Sequence, residues 1–485
     1  MTSGGAAVRV RFAPSPTGPL HLGNARTAVI NHLFKLKTDG ALILRIEDTD
    51  PERFDPASED LIVDELKWLG ITPDEGPNIG GGFGPYRQGE RGDIYRKTAE
   101  ALLKEGFCFK CFCTDDDLEL ERKAAIAKGL PPRYSGRCRD LTKDEIEAKG
   151  KTPFTIRFRV KTDPSNREIV NINDLVHKRV AFTTEAFGDF VILRADGSAV
   201  YNFSSTVDDH LMGITHVIRG EDHLPNTPRQ VLIYRALKAY PPFFAHLPLL
   251  LSAGGEKLKK REGRDPNLEE LREIGYTRDA ILNYLASIGN PAFTAGEIAG
   301  DREIADRFEI GRLGRGAVRV EVEKLGRINR RHIRGLNASD LSDLISPFLK
   351  TDGFDISGPE LKEFSEAIRE NMALLGDARR YAPIFFSDLP EIDSDAEKVL
   401  AGVETKPVLE SFLAAVKPIN DLTREAYGKA VKEAMERVGI RAKDFFMPLR
   451  AALTGMTSGP ELESVAIFIG VEKVRERIGR ALKPR

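Results

Sequence analysis

No run of the chain reaches the roughly eighteen apolar residues that a membrane span needs. Cysteine is scarce, and all four thiols (Cys108, Cys111, Cys113 and Cys138) fall in one short window, too local to staple a chain of 485 residues. The first residues, MTSGGAAVRVRF, pass into a strand pattern without an apolar signal segment, so the expected compartment is the cytoplasm. There, clustered cysteines point to a metal or to free thiols rather than to disulfides. Charge of one sign is lacking too: 72 Lys and Arg against 74 Asp and Glu leave a net −2, which excludes a protein that coats nucleic acid. A nucleic-acid partner would have to meet local basic patches. No internal repeat or low-complexity tract is present. What remains is a globular composition, 41% apolar and 30% charged, in a chain long enough for two to four domains.

The patterning is α/β at first and helical later. VRVRF at 8–12 alternates as a strand, a Pro/Gly turn follows, and residues 24–37 place Ala25, Ala28, Val29, Leu33 and Leu36 on one helical side. ALILRIED (41–48) reads as a second strand and LIVDELKWLG (61–70) as a second helix. That order predicts a βαβ unit and a doubly wound, Rossmann-type parallel sheet. Residues 91–187 mix helices with the strands FTIRFRV and IVNINDLV and read as an insertion between the sheet's halves, 1–90 and 188–250. DFVILRADG and ITHVIRGED are expected to resume the sheet. A loop and linking region is expected over 251–325, and amphipathic helices over 326–485.

Two segments carry the chemistry. RFAPSPTGPLHLGN (11–24) sets a His at the mouth of a helix after a tight turn, where open amides and the helix dipole suit a phosphate. Gly23 there lets a flat ring pack close to the backbone. A Pro-rich turn with a capping His explains the same residues. LSAGGEKLKKREG (251–263) places Lys257, Lys259, Lys260 and Arg261 in a Gly-flanked loop. Such cations suit phosphoryl transfer, and a solvated basic turn is the plainer alternative.

Together the segments resemble the paired HIGH and KMSKS signatures of class I aminoacyl-tRNA synthetases. The longer runs RFAPSPTGPLHLGNAR, LRIEDTDPER, GPYRQGER and YNFSSTVDDHLMGITHVIRGEDHLPNTPRQ resemble the bacterial-type glutamyl-tRNA synthetase family, in its order. The resemblance implies a ligase that activates L-glutamate with ATP and Mg2+ and loads it onto tRNA(Glu), with activation dependent on bound tRNA. By resemblance, His21 and Lys260 would be catalytic. ATP would be met by Pro14, Ser15, Gly18, His21, Gly23 and Asn24 of the first signature, and by Lys257, Lys260 and Arg261 of the second. Arg11, Ala13, Ser15, Glu47, Tyr201, Ser205 and Arg219 would line the glutamate pocket. A free amino acid with two carboxylates and an ammonium needs such guanidinium forks and an anion. Lys259 departs from the family's KLSKR, adding a charge where a Ser is usual. The insertion would contact the acceptor stem, residues 251–325 the stem, and residues 326–485 the anticodon.

The thiols follow C-x-C-x24-C-x-D, where some family members hold zinc with a C-x-C…C-x-H or C-x-C…C-x-C set. Cys111, Cys113 and Cys138 with Asp140 form a candidate structural zinc site, with Cys108 as another fourth ligand. Thiols packed among Phe107, Phe109 and Phe112 are the alternative. RINRRHIR (327–334) is dense in cations, enough to track phosphates or simply to solvate a helix face. Residues 321–485 carry no net positive charge, which favours anticodon reading by shape and hydrogen bonds. A monomer is expected. Other readings are weighed as well: a form that also charges tRNA(Gln), a glutaminyl enzyme, a non-catalytic tRNA-binding paralogue, and a shorter paralogue that glutamylates a modified tRNA nucleoside, which the long helical C-terminal region argues against. The strand-poor C-terminal region argues against the second, and the retained signature residues against the third.

Overall fold

The computed structural model describes residues 7–49, 55–130, 132–161, 168–252, 254–256, 267–293 and 297–483. Two compact units divide the chain: Met1–Glu269 with Leu282–Glu321, and Glu270–Ile281 with Val322–Arg485.

The first unit opens on β1 (Arg9–Phe12), which runs parallel to β2 (Ala41–Leu44). Parallel neighbours require a crossover, here the helix Leu22–Thr38, which buries Ala25, Ala28, Val29 and Leu33. Its last turn closes on Asp39 in the left-handed region and then on Gly40, where a Cβ would lie 2.6 Å from the Val8 carbonyl oxygen. Only glycine lets the chain turn back against β1 so tightly. Further strands follow: β3 (Cys108–Cys111), β4 (Thr155–Phe158), β5 (Ile169–Asp174), β6 (Lys178–Thr183), β7 (Phe190–Leu193), β8 (His216–Gly220) and β9 (Phe243–Leu247). One sheet has the order β6-β5-β9-β8, with β8 and β5 both parallel to β9. The Thr215 amide donates to the Arg9 carbonyl at 2.9 Å, setting the start of β8 beside β1. A separate antiparallel sheet has the order β3-β4-β7.

Two strands therefore pair differently from expectation. IVNINDLV, read as part of the insertion, is β5 and belongs with β9, whereas DFVILR, read as resuming the parallel sheet, is β7 and pairs with β4. Alternation tells a strand which face to bury, not which neighbour to bond.

The second unit is helical. Its core joins Phe364, Phe385, Phe412 and Phe445, with the Phe364 and Phe385 rings edge to face at 5.1 Å. Arg477, nearly inaccessible, donates to the carbonyls of Ile384, Ser387, Asp388 and Leu453. It thereby satisfies C-terminal carbonyls of the helices Ala378–Phe386 and Ala442–Thr454, which lack partners of their own. Glu270–Ile281 belongs here by its bonds: the Leu375 amide donates to Gly275, and the Thr277 amide to Asn329 Oδ1. On the helix Val322–Gly335, Leu325, Ile328 and Ile333 are buried while Arg327, Arg330, Arg331 and Arg334 are exposed.

Candidate active site

β1 ends at Phe12, and the chain passes through Ala13–Leu20 to His21, the N-cap of the helix Leu22–Thr38. The Gly23 and Asn24 amides donate to His21 Nδ1 at 3.0 and 3.2 Å. Accepting at Nδ1 fixes the proton of the neutral ring on Nε2. This corrects the expectation that the helix offers open amides to a phosphate: two of the first-turn donors are taken by the imidazole, because its ring folds over its own helix end. The flat ring packed on Gly23 is likewise His21's own, since a Cβ at Gly23 would stand 2.8 Å from its Cε1. What the helix mouth presents to a ligand is an imidazole.

One cleft is lined by His21, Gly23 and Asn24 together with Arg11, Glu47, Tyr201 and Arg219. Ala13 and Pro14 also line it. Ser15 is exposed beside Pro14, and Gly18 turns the chain with φ +115°; neither lines the cleft. Ser205 is wholly buried behind Glu47, its Oγ accepting from Arg45 Nη2 at 3.3 Å. Lys257, Lys259, Lys260 and Arg261 lie outside the described residues.

Beneath the cleft is a network of ions that sequence reading missed. Arg45, without any exposed surface, donates to Asp209 at 2.6 Å and to Glu47 at 3.1 Å. Arg11 Nε donates to the same Asp209 oxygen at 3.2 Å. Asp208 receives Arg91 at 2.6 Å, Gln88 at 2.7 Å and Tyr95 at 2.8 Å. Burial works against a charged Arg45, but Asp209, Glu47 and Asp208 outweigh it and hold the guanidinium protonated. For Glu47 the balance goes the other way: burial dominates and lifts its carboxyl above the ordinary range despite Arg45 and Arg11. Counted together, Arg11, Arg45 and Arg91 match Glu47, Asp208 and Asp209.

Arg219 stands apart from that balance. Its Nε donates to His246 Nε2 at 3.2 Å, and its Nη2 to Thr227 at 2.9 Å and to Gln230 at 2.7 Å. Nη1 reaches Tyr201 Oη at 3.3 Å. All four partners are uncharged, and among the described residues no carboxylate lies within ion-pair distance of it. Tyr201 in turn meets His223 Nδ1 at 2.8 Å; burial, helped by Arg219, depresses that imidazole to about 4 and keeps it neutral. Arg219 is therefore a buried cation on the cleft wall with no ion-paired carboxylate among the described residues; Arg26, also buried and lining the cleft, donates only to the carbonyls of Pro248 and Ile288 among the bonds described, and the carboxylate of Asp222 lines the cleft as well.

The cysteine cluster lies elsewhere in the first unit. The Sγ atoms of Cys111, Cys113 and Cys138 lie within 4.8 Å of one another, and the Cys113–Cys138 pair is at 3.6 Å. Three thiols at that spacing fit a tetrahedral ion with bonds of about 2.3 Å. Asp140 is corrected out of the set: it is exposed and bound to Arg159 at 2.8 Å, because Arg159 holds it on the outer side of the turn. Cys108 also drops out, buried in the core against Phe158 and Leu102 instead. Tyr134 lies beside the thiols instead, its Oη 3.5 Å from Cys111 Sγ and 3.8 Å from Cys113 Sγ while accepting the Cys138 amide at 2.7 Å. Its spacing, four residues before Cys138, was the available signal.

A parallel sheet with a His-capped helix mouth and a charged pocket along its carboxyl edge is what a nucleotide-dependent, amino-acid-activating enzyme requires, and comparison with known proteins agrees. A profile described as tRNA synthetases class I (E and Q), catalytic domain, matches residues 7–327, and one described as an anticodon binding domain matches residues 340–482. The chain belongs to the class I tRNA synthetases of this glutamate and glutamine group. More particularly, it is 44% identical over 480 residues to the glutamate–tRNA ligase of Carboxydothermus hydrogenoformans, covering 97% of this chain and 99% of that protein. It is 40% identical over 481 residues to glutamate–tRNA ligase 1 of Caldicellulosiruptor saccharolyticus, covering 97% and 98%. The crystal structure of a glutamate tRNA ligase from Elizabethkingia meningosepticum, in complex with its amino acid, superposes with a TM-score of 0.89 at 32% identity, over 98% of this chain and 99% of that one.

Proposed function

We propose that the protein is a glutamate–tRNA ligase whose cleft selects glutamate by charge. The observation that carries this is Arg219, buried on the cleft wall, bound to uncharged partners and without an ion-paired carboxylate among the described residues. Glutamate brings two carboxylates and one ammonium, a net −1 that neutralises Arg219, while glutamine brings none. A mismatched ligand would leave a desolvated charge unpaired, which costs on the order of 3–5 kcal/mol. Glu47 receives the ammonium, and Arg11 and Arg219 receive the carboxylates. The substrate α-carboxylate attacks the α-phosphate of ATP and pyrophosphate leaves; the terminal ribose 2′-hydroxyl of tRNA(Glu) then attacks the α-carbonyl carbon of the adenylate, the glutamyl group passes to that oxygen, and AMP leaves. No enzyme nucleophile is needed; in-line positioning and fixed donors, His21 among them, lower the barrier. Mg2+ arriving with ATP supplies charge neutralisation at the phosphates. Lys260 is the cation assigned to the pyrophosphate.

The exposed arginines of Val322–Gly335 suit the tRNA backbone, and the helical unit suits the anticodon. Glutamate-dependent exchange of pyrophosphate into ATP, measured with and without tRNA(Glu), tests the reading. Exchange is expected with tRNA and glutamate, and its absence under both conditions would reject a ligase. Equal charging of tRNA(Gln) would place the chain among forms that serve both tRNAs. No helix among the described residues is long and apolar enough to cross a membrane, in keeping with a cytoplasmic role.

A structural zinc ion is proposed at Cys111, Cys113 and Cys138, with Tyr134 Oη in the fourth position. It would tie β3 to the turn at 134–138. Metal analysis of chelator-free protein should return about one equivalent, and Cys138→Ser should lose it. Metal-free protein of full activity and stability would remove the ion from the structure's needs.

A further inference from the structure

Arg219 and His246 face each other across the parallel pair β8 and β9, in direct register. His246 is wholly buried, and its Nδ1 lies 2.7 Å from Asp174 Oδ2. Asp174 is itself saturated: Oδ1 accepts the Val176 and His177 amides at 2.9 and 2.8 Å, and Oδ2 accepts the His246 amide at 3.1 Å. Burial opposes its ionisation, yet the His246 bond and these amides hold its carboxyl below the usual range. An ionised carboxylate only accepts, so the proton between the two residues belongs to His246 Nδ1. His246 Nε2 is then left as an acceptor, met by the Arg219 Nε–H at 3.2 Å and by the Thr227 hydroxyl at 3.0 Å, which itself accepts from Arg219 Nη2 and so ties the three groups together. Burial keeps this imidazole near 4, so it stays neutral beside the guanidinium at working pH.

A guanidinium has five N–H groups. Nε spends its one on His246, and Nη2 spends its two on Thr227 and Gln230. Only Nη1, with its contact to Tyr201, is turned toward the cleft. We propose that His246, oriented by Asp174, is a positioning residue for Arg219, fixing the guanidinium so that it meets the substrate carboxylate through Nη1 alone. This corrects the picture of a two-pronged fork at this arginine, and it rests on Arg219 being a substrate contact as proposed above. His246 touches no substrate; it acts by denying Arg219 the rotations that would spread its charge away from the ligand.

The contrast between two near-isosteric variants tests this. His246→Asn keeps an amide donor where Nδ1 stands, satisfying Asp174, but ends short of Arg219. His246→Gln places an amide oxygen where Nε2 stands, restoring an acceptor for Arg219. In steady-state charging, His246→Asn should raise the glutamate KM on the order of tenfold to a hundredfold, the size of a lost charge-assisted hydrogen bond. The ATP KM and kcat should stay within about threefold, and His246→Gln should recover most of the glutamate KM. Equal glutamate KM in both variants, or equal loss of ATP and glutamate affinity, would overturn the proposal, since a packing role predicts no such split. Arg219→Ala separates the two levels. If it raises the glutamate KM while His246→Asn does not, the positioning role alone fails; if Arg219→Ala leaves glutamate use intact, the pocket assignment fails with it. Nitrogen chemical shifts of the His246 ring in the wild-type protein give a check that needs no variant to fold. The Nδ1–H tautomer is expected, and an Nε2–H tautomer would end the proposal.

Discussion

Arg11 is bound to an aspartate that it shares with Arg45, and this sharing decides what its loss should do. In Arg11→Ala, Asp209 keeps Arg45 at 2.6 Å, so the network survives and only the proposed substrate contact goes. Glutamate kcat/KM should fall by roughly two decades with ATP binding little changed, and Arg11→Lys should rescue poorly because an ammonium lacks the planar fork. Near-wild-type glutamate kinetics in a folded Arg11→Ala protein would remove it from the pocket. Glu47 makes the site sensitive to acid. Burial, the largest influence on it, raises its folded pKa, so on acidification it takes up a proton earlier than an ordinary glutamate side chain near 4.3. The proposed ammonium acceptor is ionised Glu47; on that proposal the glutamate KM should climb as pH falls through the raised pKa, and Glu47→Gln should be poor at all pH and lack the climb. A profile unchanged by Glu47→Gln would assign the titration to another group. At this scale the runs of resemblance pointed to most of the residues that line the cleft, and hid the residues behind them. Arg45 and His246 each sit as a lone polar residue in an apolar strand, ALILRI and FFAHLPLLL. That was the available signal: a charge or imidazole in such a run is buried and must have a partner, but nothing local says that the partner is Asp209 or Asp174, far away in sequence.

Elements were legible where a single period ruled them. The first βαβ unit followed from alternation, turn residues and a helical stripe, and the structure reproduces it as Arg9–Phe12, Leu22–Thr38 and Ala41–Leu44. Strand partners were not legible, as β5 and β7 demonstrate, because pairing is set by the topology of the whole sheet. The helix Leu22–Thr38 carries a further consequence at its mouth. Gly23 has ordinary helical geometry, so no backbone demand explains a glycine there; the demand is the His21 ring, 2.8 Å from any Cβ. Gly23→Ala should expel the imidazole from its cap. The helix would lose about 1 kcal/mol or less, a small change in melting temperature, whereas kcat should fall at least tenfold as the Nε2–H leaves its place. A fully active Gly23→Ala enzyme would show that His21 need not cap the helix to work.

At the scale of the whole molecule, the change from α/β to helical sequence near residue 326 invites a cut there, and one segment gives a physical reason to expect such a cut to expose apolar surface. Glu270–Ile281 precedes the apparent boundary yet belongs to the second unit. Leu271, Ala280 and Ile281 in it are without exposed surface, and Tyr276 is nearly so. Gly275, with φ +103°, has its carbonyl bonded to the Leu375 amide, and a Cβ there would meet the Gly376 nitrogen at 2.4 Å. Removing residues 322–485 would strip this segment of its partners and leave an apolar patch of several large side chains in water. At about 25 cal/mol per Å² of apolar surface, such a patch is worth several kcal/mol, comparable to the net stability of a domain. A chain of residues 1–321 is therefore expected to be aggregation-prone, with a broadened or lowered melt by calorimetry and light scattering. The same chain with Leu271, Tyr276 and Ile281 replaced by polar residues should be more soluble and regain a cooperative transition, and neither version should charge tRNA at ordinary concentrations because the helical unit is gone. If residues 1–321 melted cooperatively as a monomer without those replacements, Glu270–Ile281 would not depend on the helical unit for its burial, and the division of the chain at that segment would have to be redrawn.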